Sequence, residues 1–293
     1  MKICVLGGAN VDISARAAGL FVTGDSNPGT VTVAPGGVGR NIAHNLALLG
    51  DKVRLVTIFG DDGFGRMLRE SCAAAGMDLK LSKTSSGARN ACFVSLNGSD
   101  GELLGGVSDM AITGRMTPDW LEARLHAINE ADAVVADTNL PAETLSMLVS
   151  CCIPPLYIDA VSSAKVPRLK LALSVSRLPG TGPVIVKCNR LEAEVLGKSG
   201  LSGVSRLYVS LGSEGLEIIE NGVTTPVPPL PAKGIVNTTG AGDALLAGIV
   251  HCGPDAPAIE AANFGQLCAQ FAMQSPNPVS DRIRELAPKT DSK

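Results

Sequence analysis

Charged residues are scarce in this chain. Asp, Glu, Lys and Arg make up 18% of its 293 residues, and the formal net charge is -3. Without an excess of cationic side chains, there is no electrostatic basis for binding nucleic acid or an anionic membrane. No apolar run approaches the ~20 residues that cross a bilayer, and the first residues lack a signal-peptide cleavage pattern. We therefore expect a soluble, cytoplasmic protein that acts on a small molecule.

Ligands for a structural metal are scarce as well. The three histidines, His44, His126 and His251, are not spaced with a Cys or Glu partner, and no Cys-x-x-Cys pair occurs. This pattern argues against a zinc site. The eight cysteines are scattered through apolar segments, so buried and reduced thiols are expected.

Apolar runs of strand length are abundant, and they alternate with helical patterns. Such alternation predicts a doubly wound α/β fold, in which helices flank a mainly parallel sheet. The length of 293 residues fits a single domain over residues 1–293. The predicted strands are residues 2–6, 53–59, 133–136, 156–158, 184–187 and 207–211. The predicted helices are residues 41–49, 65–75, 118–128, 142–149 and 191–196.

Two stretches interrupt this alternation. Residues 11–35 and 79–108 contain short alternating strands, near 30–33, 91–96 and 102–106, joined by turns of Gly, Ser, Asn and Asp. We predict that these strands pair into a small antiparallel sheet. Such a sheet, packed on one face only, would form a lid over a cleft or a surface for a second subunit. Two ordinary surface hairpins are the alternative.

The most informative motif is the sequence NTTGAGD at residues 237–243, which leads directly into an apolar helical pattern. Gly240 and Gly242 allow another group to approach the backbone closely. The amides of the first helical turn lie at the positive end of the helix dipole and can hold phosphate oxygens. Asp243 is poorly suited to bind phosphate but well placed to accept a proton from an attacking hydroxyl group. The alternative is an ordinary helix start after a glycine-rich turn.

A second glycine turn, with the sequence PGGVGRN, opens a helical pattern near the N-terminus. Gly36 and Gly37 would let a polar ligand lie against the backbone, and Asn41 offers it both a donor and an acceptor. Upstream, Asn10 and Asp12 follow the first strand, at the carboxyl end where open α/β sheets bind ligands. Asp12 and Asn41 suit vicinal hydroxyl groups, although each of these residues taken singly is also a common turn former.

Two further segments follow predicted strands in the C-terminal half. Asn189 and Glu192 are three residues apart and share one helical face, which would order water around a Mg²⁺ bound to nucleotide phosphates. The alternative is an Asn helix cap with an acidic first turn. In the sequence SLGSEG, Ser210, Gly212 and Gly215 form a strand-end loop of the kind that passes over phosphates.

In this order and spacing, the motifs resemble those of the ribokinase, or PfkB, family of carbohydrate and nucleoside kinases over essentially the whole chain. The resemblance implies a ribokinase-like fold with a small β lid, and ATP-dependent phosphorylation of a primary hydroxyl group. Within the family, the segments around Asp25, the first glycine turn and Asn189 are most similar to members that phosphorylate the 5′-hydroxyl of pseudouridine. A different substrate (ribose, adenosine or a ketohexose) and a catalytically silent nucleoside-binding protein are the alternatives.

The resemblance also implies roles for individual residues. Asp243 would be the base, while the amides of Gly240, Ala241 and Gly242 would stabilise charge on the transferring phosphoryl group. The residues implied to hold the sugar are Asn10, Asp12, Gly36, Gly37, Asn41 and Asn139, and those implied to read the base from the lid are Asp25 and Asn27. The residues implied near ATP are Lys187, Asn189, Ser210, Gly212, Gly215 and Gly242, with Glu192 and Asn189 holding Mg²⁺ through water. Lid strands often pair across a dimer in this family, so a homodimer is implied.

The chain departs from the family pattern in three places. Asn237 replaces an Asp that helps to bind a monovalent cation in many members, so a weakened cation site is expected. Cys188 replaces a Pro, which removes a fixed φ angle but no reacting group. Family members normally have a further helix before the strand at 207–211, but only residues 195–206 are available here, and they are rich in Gly and Ser. Either a covering helix has been lost or the sequence omits a segment.

Overall fold

A large central sheet organises the molecule, for which the computed structural model describes residues 1–231 and 234–288. The strands are β1 (Lys2–Leu6), β2 (Asn10–Ala17), β3 (Gly29–Gly36), β4 (Lys52–Val56), β5 (Ile58–Gly60), β6 (Lys83–Ser85), β7 (Ala91–Asn97), β8 (Leu103–Asp109), β9 (Ala133–Asp137), β10 (Leu156–Asp159), β11 (Val184–Asn189), β12 (Arg206–Ser210), β13 (Leu216–Glu220) and β14 (Val223–Val227). Eight of them pair in the order β14-β13-β12-β11-β10-β9-β1-β4. The pairings from β12 to β4 are all parallel, whereas β13 pairs with β12, and β14 with β13, in antiparallel fashion at one edge.

Helices cover both faces of this sheet. They are α1 (Val38–Leu48), α2 (Gly63–Ala74), α3 (Pro118–Ile128), α4 (Ala142–Cys151), α5 (Val166–Leu173), α6 (Arg190–Leu196), α7 (Ala241–Cys252) and α8 (Ala258–Met273). Successive strand residues point to opposite faces, so Ile3 and Val5 share a core with α1, α2, α7 and α8. Cys4 and Leu6 share the other core with α3 to α6. The doubly wound α/β prediction is confirmed, and no helix in the described ranges is long and apolar enough to cross a membrane.

One predicted strand is wrong: residues 53–59 form two strands, β4 and β5. The chain leaves the large sheet at Thr57, whose hydroxyl group donates to the carbonyl of Gly7 at 2.7 Å. The backbone N–H of Thr57 donates to the Ser82 hydroxyl at 3.1 Å. β5 then pairs with β6 in a separate two-stranded sheet, because these side-chain bonds replace the ladder of the large sheet.

Helix α5 was not predicted from the sequence. Pro167 lies in its first turn, where proline fits a helix because its missing N–H has no intrahelical acceptor there. In residues 195–206 the structure has only a short 3-10 helix, Lys198–Leu201, where the family resemblance implies a longer one. Leu191 in the first turn of α6 is 63% exposed.

A second sheet forms the predicted lid, with the strand order β3-β2-β7-β8. β2 pairs with β3, and β7 with β8, in antiparallel hairpins, while β2 and β7 join the two hairpins in parallel. Ile13 is in register with both Val33 and Val94, and Val94 is in register with Val107. These apolar side chains share one face, and the alternation of the strand places Asp12 on the other.

The switch in winding direction occurs at β1. This strand pairs with β4 on one side and with β9 on the other. In open α/β sheets, ligands bind in the crevice at the carboxyl ends of the strands next to such a switch point. The fold therefore directs attention to the loops that follow β1 and β9.

Candidate active site

A row of charged residues crosses the carboxyl ends of three neighbouring strands. Asp137 of β9 is in register with Asp159 of β10, which is in register with Lys187 of β11. The Lys187 Nζ lies 3.1 Å from Asp159 Oδ2, and both side chains are buried. Burial lowers the pKa of Lys187, but the charges of Asp159 and Asp243 outweigh it and the pKa is raised. Sequence analysis missed both aspartates, although an acidic residue at the end of a buried apolar strand was an available signal.

The turn before α7 requires glycine at position 240. Gly240 has a left-handed backbone with φ of 82°, and a Cβ atom there would lie 2.0 Å from the carbonyl oxygen of Pro278. Only glycine meets both conditions without a shift of the backbone. The Ala241 N–H makes a long bond, 3.3 Å, to the carbonyl of Thr238. The close contact with Pro278 and the bond to Thr238 therefore fix the turn, and the start of α7 faces the crevice at the carboxyl ends of the strands.

The amide group of Asn237 is used within this turn. Its Oδ1 accepts from the Thr239 N–H at 2.9 Å, and its Nδ2 donates to the Pro276 carbonyl at 3.1 Å. The side chain therefore braces the loop and adds no negative charge. The weakened cation site stays a prediction.

The N-terminus of α7 and the Lys187 ammonium group converge at Gly242. A Cβ atom on Gly242 would lie 2.6 Å from the Lys187 Nζ, so the absence of a side chain lets the cation approach the helix start. The first amides of a helix have no acceptor within it and carry the positive end of the helix dipole. Together they form a site suited to phosphate oxygens.

Asp243 is the acidic group beside this anion site. Its Oδ2 accepts from Asn41 Nδ2 at 2.9 Å, and the carboxyl group is buried. Burial raises the pKa of Asp243 to about 7, the charge of Asp159 adds to the rise, and the Asn41 hydrogen bond and Lys187 oppose it. A carboxylate with a pKa near neutral pH is matched to accept a proton in catalysis.

Arg40 fixes the orientation of the Asn41 amide. The buried guanidinium donates from Nη1 to Asn41 Oδ1 at 3.1 Å and from Nη2 to the Ser71 hydroxyl at 3.2 Å. A guanidinium group only donates and a carboxylate only accepts, so Asn41 must turn its Nδ2 towards Asp243. Sequence analysis missed Arg40, because nothing in the glycine-rich turn shows that its side chain folds back into the core.

The structure brings the first glycine turn together with Asn10 and Asp12. A Cβ atom on Gly36 would lie 2.0 Å from Asp12 Oδ2, and one on Gly37 would lie 2.5 Å from the carbonyl oxygen of Gly8. These two glycines therefore let groups of the protein itself approach the backbone closely, and their contact with a ligand stays a prediction. Asn10 Nδ2 donates to Asp12 Oδ1 at 2.6 Å, and burial raises the pKa of Asp12.

Asp137 joins the loops at the switch point. Its Oδ2 accepts from the N–H groups of Gly8 at 2.9 Å and Gly39 at 2.8 Å. Its Oδ1 accepts from the N–H of Asn139 at 2.8 Å, which places the buried Asn139 side chain against Gly8. Burial raises the pKa of Asp137, although these hydrogen bonds oppose the rise.

Four of the six residues predicted near the nucleotide line one pocket of about 560 Å³, while Lys187 and Asn189 are not part of its lining. Ser210, Gly212 and Gly215 line one side, and Ala241 and Gly242 of the anion site line another. The remaining wall is mainly apolar and is formed by residues that include Pro229, Leu230, Ile235, Leu245 and Met273. Such a mixture of apolar walls and a few polar groups is typical of small-molecule sites.

Asn189 and Glu192 form a capping box at the start of α6. Asn189 Oδ1 accepts from the Glu192 N–H at 2.9 Å, and Glu192 Oε2 accepts from the Asn189 N–H at 2.8 Å. Glu192 Oε1 also accepts from Asn189 Nδ2 at 2.8 Å. The helix-cap alternative therefore describes this geometry, and any role of the pair with Mg²⁺ stays a prediction.

The structure does not bring Asp25 and Asn27 to this site within one chain. Both lie in the loop at the outer end of the β2–β3 hairpin, roughly 20 Å along β2 from Asn10 at about 3.3 Å per residue. Asn27 accepts from the Val22 N–H at 2.8 Å and donates to the Val22 carbonyl at 2.9 Å. Asp25 Oδ1 accepts from the Ser26 N–H at 2.7 Å, so both side chains brace their own loop.

Comparison with known proteins agrees with this geometry. The sequence pattern of the pfkB family carbohydrate kinases matches residues 1–284. Pseudouridine kinase from Escherichia coli (strain K12) is 32% identical, over 92% of this chain and 90% of its own. A carbohydrate kinase from Agrobacterium tumefaciens has a TM-score of 0.82 at 29% identity, over 97% of this chain and 95% of that one. Ribokinase from Arabidopsis thaliana, complexed with ribose and ATP, shares the fold with a TM-score of 0.83 at 20% identity, over 97% and 96% of the two chains. The chain therefore belongs to the pfkB family of carbohydrate kinases and is itself a kinase.

Proposed function

We propose that this kinase transfers the γ-phosphoryl group of ATP to the 5′-hydroxyl of pseudouridine and releases pseudouridine 5′-phosphate and ADP. The observation that carries the proposal is the position of Asp243. On one side, the Asp243 carboxylate accepts a hydrogen bond from Asn41 at the end of the first glycine turn. On the other side, the start of α7, which carries Asp243, lines the pocket of about 560 Å³ that we call the nucleotide pocket. The similarity to pseudouridine kinase from Escherichia coli supports the choice of nucleoside.

In the proposed reaction, Asp243 accepts the proton of the 5′-hydroxyl while the oxygen attacks the γ-phosphorus. The bond to the ADP oxygen breaks, and the proton remains on Asp243 until the products leave. The amides at the start of α7 and the nearby Lys187 stabilise negative charge on the phosphoryl oxygens, which is the main demand of phosphoryl transfer. Asn10, Asp12, Asn41 and Asn139 would hold the sugar, so the nucleophile would be fixed before transfer.

We propose that ATP binds in the pocket that borders the α7 turn, with Mg²⁺ as its counter-ion. Among residues 1–231 and 234–288, no group of three or more His, Cys, Asp or Glu side chains is arranged to hold a metal directly. Mg²⁺ commonly keeps several waters and is carried by substrate phosphates with few protein ligands. Glu192, tied to Asn189 at the strand end, is the carboxylate we propose to order those waters. The bound ion would neutralise charge on the phosphates.

We propose that the lid also forms the interface of a homodimer. Val31 and Val107 on its apolar face are 67% and 71% exposed. Monomeric proteins rarely expose a contiguous apolar sheet face, and a second copy of the same face would cover it. For location we propose the cytoplasm, which is supported by the eight free cysteines, since thiols stay reduced in that compartment.

A phosphate-transfer assay over a panel of nucleosides and sugars tests the proposal. Wild type should consume pseudouridine with formation of ADP, and Asp243→Asn should lower kcat by about 10²- to 10⁴-fold because the proton acceptor is lost. Asp255→Asn, which changes an exposed aspartate beyond the other end of α7, is the matched control and should retain full activity.

Three outcomes would contradict parts of this proposal. Pseudouridine left untouched while ribose, adenosine or a ketohexose is consumed would overturn the substrate. Equal turnover by Asp243→Asn would overturn the role of the base. Binding of nucleoside without transfer to any acceptor would identify a silent binding protein instead.

A further inference from the structure

Residues 228–231, which we call the proline loop, form part of one wall of the nucleotide pocket. The loop follows β14, and Pro229, Leu230 and Pro231 line the pocket. Proline has no backbone N–H, so the N–H of Leu230 is the one backbone donor within the loop. The loop therefore has little capacity to hold its own shape by backbone hydrogen bonds, and its position depends on neighbouring groups.

Two glutamines of α8 hold the proline loop. Gln266 Oε1 accepts from the Leu230 N–H at 3.2 Å, and Gln266 Nε2 donates to the Pro228 carbonyl at 3.0 Å. Gln270 Nε2 donates to the Pro231 carbonyl at 2.6 Å. The two glutamines are four residues apart and therefore lie on the same face of the helix. Their amide groups bind the loop through its backbone.

The chemistry of a side-chain amide suits both bonds of Gln266. An amide carries an acceptor and a donor at the end of the same side chain, whereas a carboxylate only accepts and an ammonium group only donates. The Leu230 N–H requires the acceptor, and the Pro228 carbonyl requires the donor. Glutamine therefore satisfies two polar groups of the loop that a charged side chain of similar length could not satisfy together.

The backbone of Gly215 also contacts this part of the chain. A Cβ atom on Gly215 would lie 2.4 Å from the carbonyl oxygen of Val227 and 2.7 Å from the nitrogen of Pro229. The absence of a side chain thus lets the strand-end loop lie directly against the start of the proline loop. Gly215 and the two glutamines all line the nucleotide pocket, so the proline loop is held by groups that border the same pocket.

Different bonds connect α8 to the turn before α7. The N–H groups of Val236 and Asn237 donate to the Met273 carbonyl at 2.8 and 3.2 Å. These bonds involve only backbone atoms, so substitution of Gln266 or Gln270 leaves their donors and acceptor in place. Loss of the glutamine amides should therefore affect the pocket wall and spare the turn that carries the proposed base.

We propose that Gln266 and Gln270 are positioning residues that hold the proline loop as the surface on which the nucleobase of the phosphoryl donor packs. The inference rests on the proposed binding of ATP in the nucleotide pocket, and it adds the residues that set the affinity for the donor. Pro229 and Leu230 supply apolar contact area, and the glutamines keep that area in place. A wall that is fixed before binding loses less conformational freedom when the nucleotide arrives.

Steady-state kinetics with ATP as the varied substrate, and with the acceptor at saturation, tests this role. Gln266→Met keeps the length of the side chain but removes two hydrogen bonds, and it should raise the KM for ATP about 10- to 30-fold. Gln270→Met removes one bond and should raise this KM about 3- to 10-fold. Both variants should keep the wild-type kcat and the KM for the acceptor, because a loss of uniform binding raises KM alone.

The dissociation constant of ADP, measured by isothermal titration calorimetry, gives a readout that requires no turnover. It should rise in the same order, more in Gln266→Met than in Gln270→Met. Asn263→Leu is the matched control, because Asn263 is an exposed amide on the same helix and is not part of the pocket lining. This control should leave the KM for ATP and the dissociation constant of ADP unchanged.

Three outcomes would contradict the inference or the function beneath it. If wild type uses ATP while both glutamine variants keep the wild-type constants for ATP and ADP, the positioning role is wrong and the proposed function stands. A fall in kcat as large as the rise in KM for ATP would assign the glutamines to the catalytic turn and would also overturn the role. A wild type that does not use ATP would instead overturn the proposed phosphoryl donor.

Discussion

At the scale of single residues, the site concentrates more negative charge than its one buried ammonium group balances. Asp159 and Asp243 lie near Lys187, Asp137 lies next to Asp159 on the neighbouring strand, and all four side chains are buried. Burial and the neighbouring Asp159 both disfavour the charged form of Asp243, which raises its pKa to about 7. A proton acceptor tuned in this way is useful in catalysis, but its ionised form destabilises the folded protein.

Asp243→Asn should therefore stabilise the protein while it removes most of the activity. The pKa of Asp243 rises from 3.8 to about 7 on folding, so between these pH values the folded state keeps a proton that the unfolded state has lost. Wild-type stability then falls as pH rises through this window, and a neutral Asn escapes that loss. The advantage of the variant in free energy of unfolding should be about 3 kcal/mol larger at pH 8 than at pH 5.

Chemical denaturation of wild type, Asp243→Asn and the exposed control Asp255→Asn at both pH values measures this advantage. The control should track wild type at each pH. If the two proteins differ in free energy of unfolding by the same amount at pH 5 and pH 8, the pKa of Asp243 is not raised on folding.

At the scale of elements, local motifs were predictable and long-range contacts were not. The turn before α7 is encoded in consecutive residues, so sequence analysis placed Gly240, Gly242 and Asp243 correctly relative to the helix. The row of Asp137, Asp159 and Lys187 depends on the register of three strands from distant parts of the chain. No pattern within any one segment specifies that register.

The missed and misplaced elements have the same origin. The break at Thr57 depends on Gly7 and Ser82, which are distant in sequence. The glycines at 36 and 37 lie against Asp12 and Gly8 of another strand and loop, a proximity that the sequence does not show, and their role in ligand approach stays a prediction. The glycine-rich motif predicted that another group approaches the backbone at these positions, but it could not show which group of the protein does so.

Gly240→Ala should disturb the turn before α7 more than the strain of placing an alanine in a left-handed conformation would do by itself. An added methyl group would lie 2.0 Å from the Pro278 carbonyl oxygen, so the Pro278 loop or the start of α7 must shift. Gly50→Ala is the matched control, because Gly50 also has a positive φ, 92°, but has no atom within 4 Å of the added group. It should lose only about 1 kcal/mol of stability and keep its activity.

Steady-state kinetics and thermal unfolding of both variants check this expectation. Gly240→Ala should lose at least about 10²-fold in kcat/KM, since a shift of about 1 Å at a catalytic group costs that much. Equal effects of the two substitutions on activity would mean that the contact with Pro278 does not position Asp243.

At the scale of the whole molecule, the lid sheet has two chemically different faces. Asp12 lies on the face that continues to the sugar turn, where Asn10 bonds to it. Ile13, Val33, Val94 and Val107 lie on the other face. Water disfavours an exposed apolar face of this kind, which supports the proposal that a second copy of the chain covers it.

Val107→Lys should convert a wild-type dimer to a monomer. Val107 is 71% exposed at the edge strand of the lid, and a lysine there would place two like charges close together across a symmetric interface. Val223→Lys is the matched control, because Val223 is 63% exposed on β14, at the edge of the large sheet. Light scattering coupled to size-exclusion chromatography should give twice the 30.0 kDa of one chain for wild type and Val223→Lys, and 30.0 kDa for Val107→Lys. A monomeric wild type, or a Val107→Lys variant that stays dimeric, would show that the apolar lid face is not the interface.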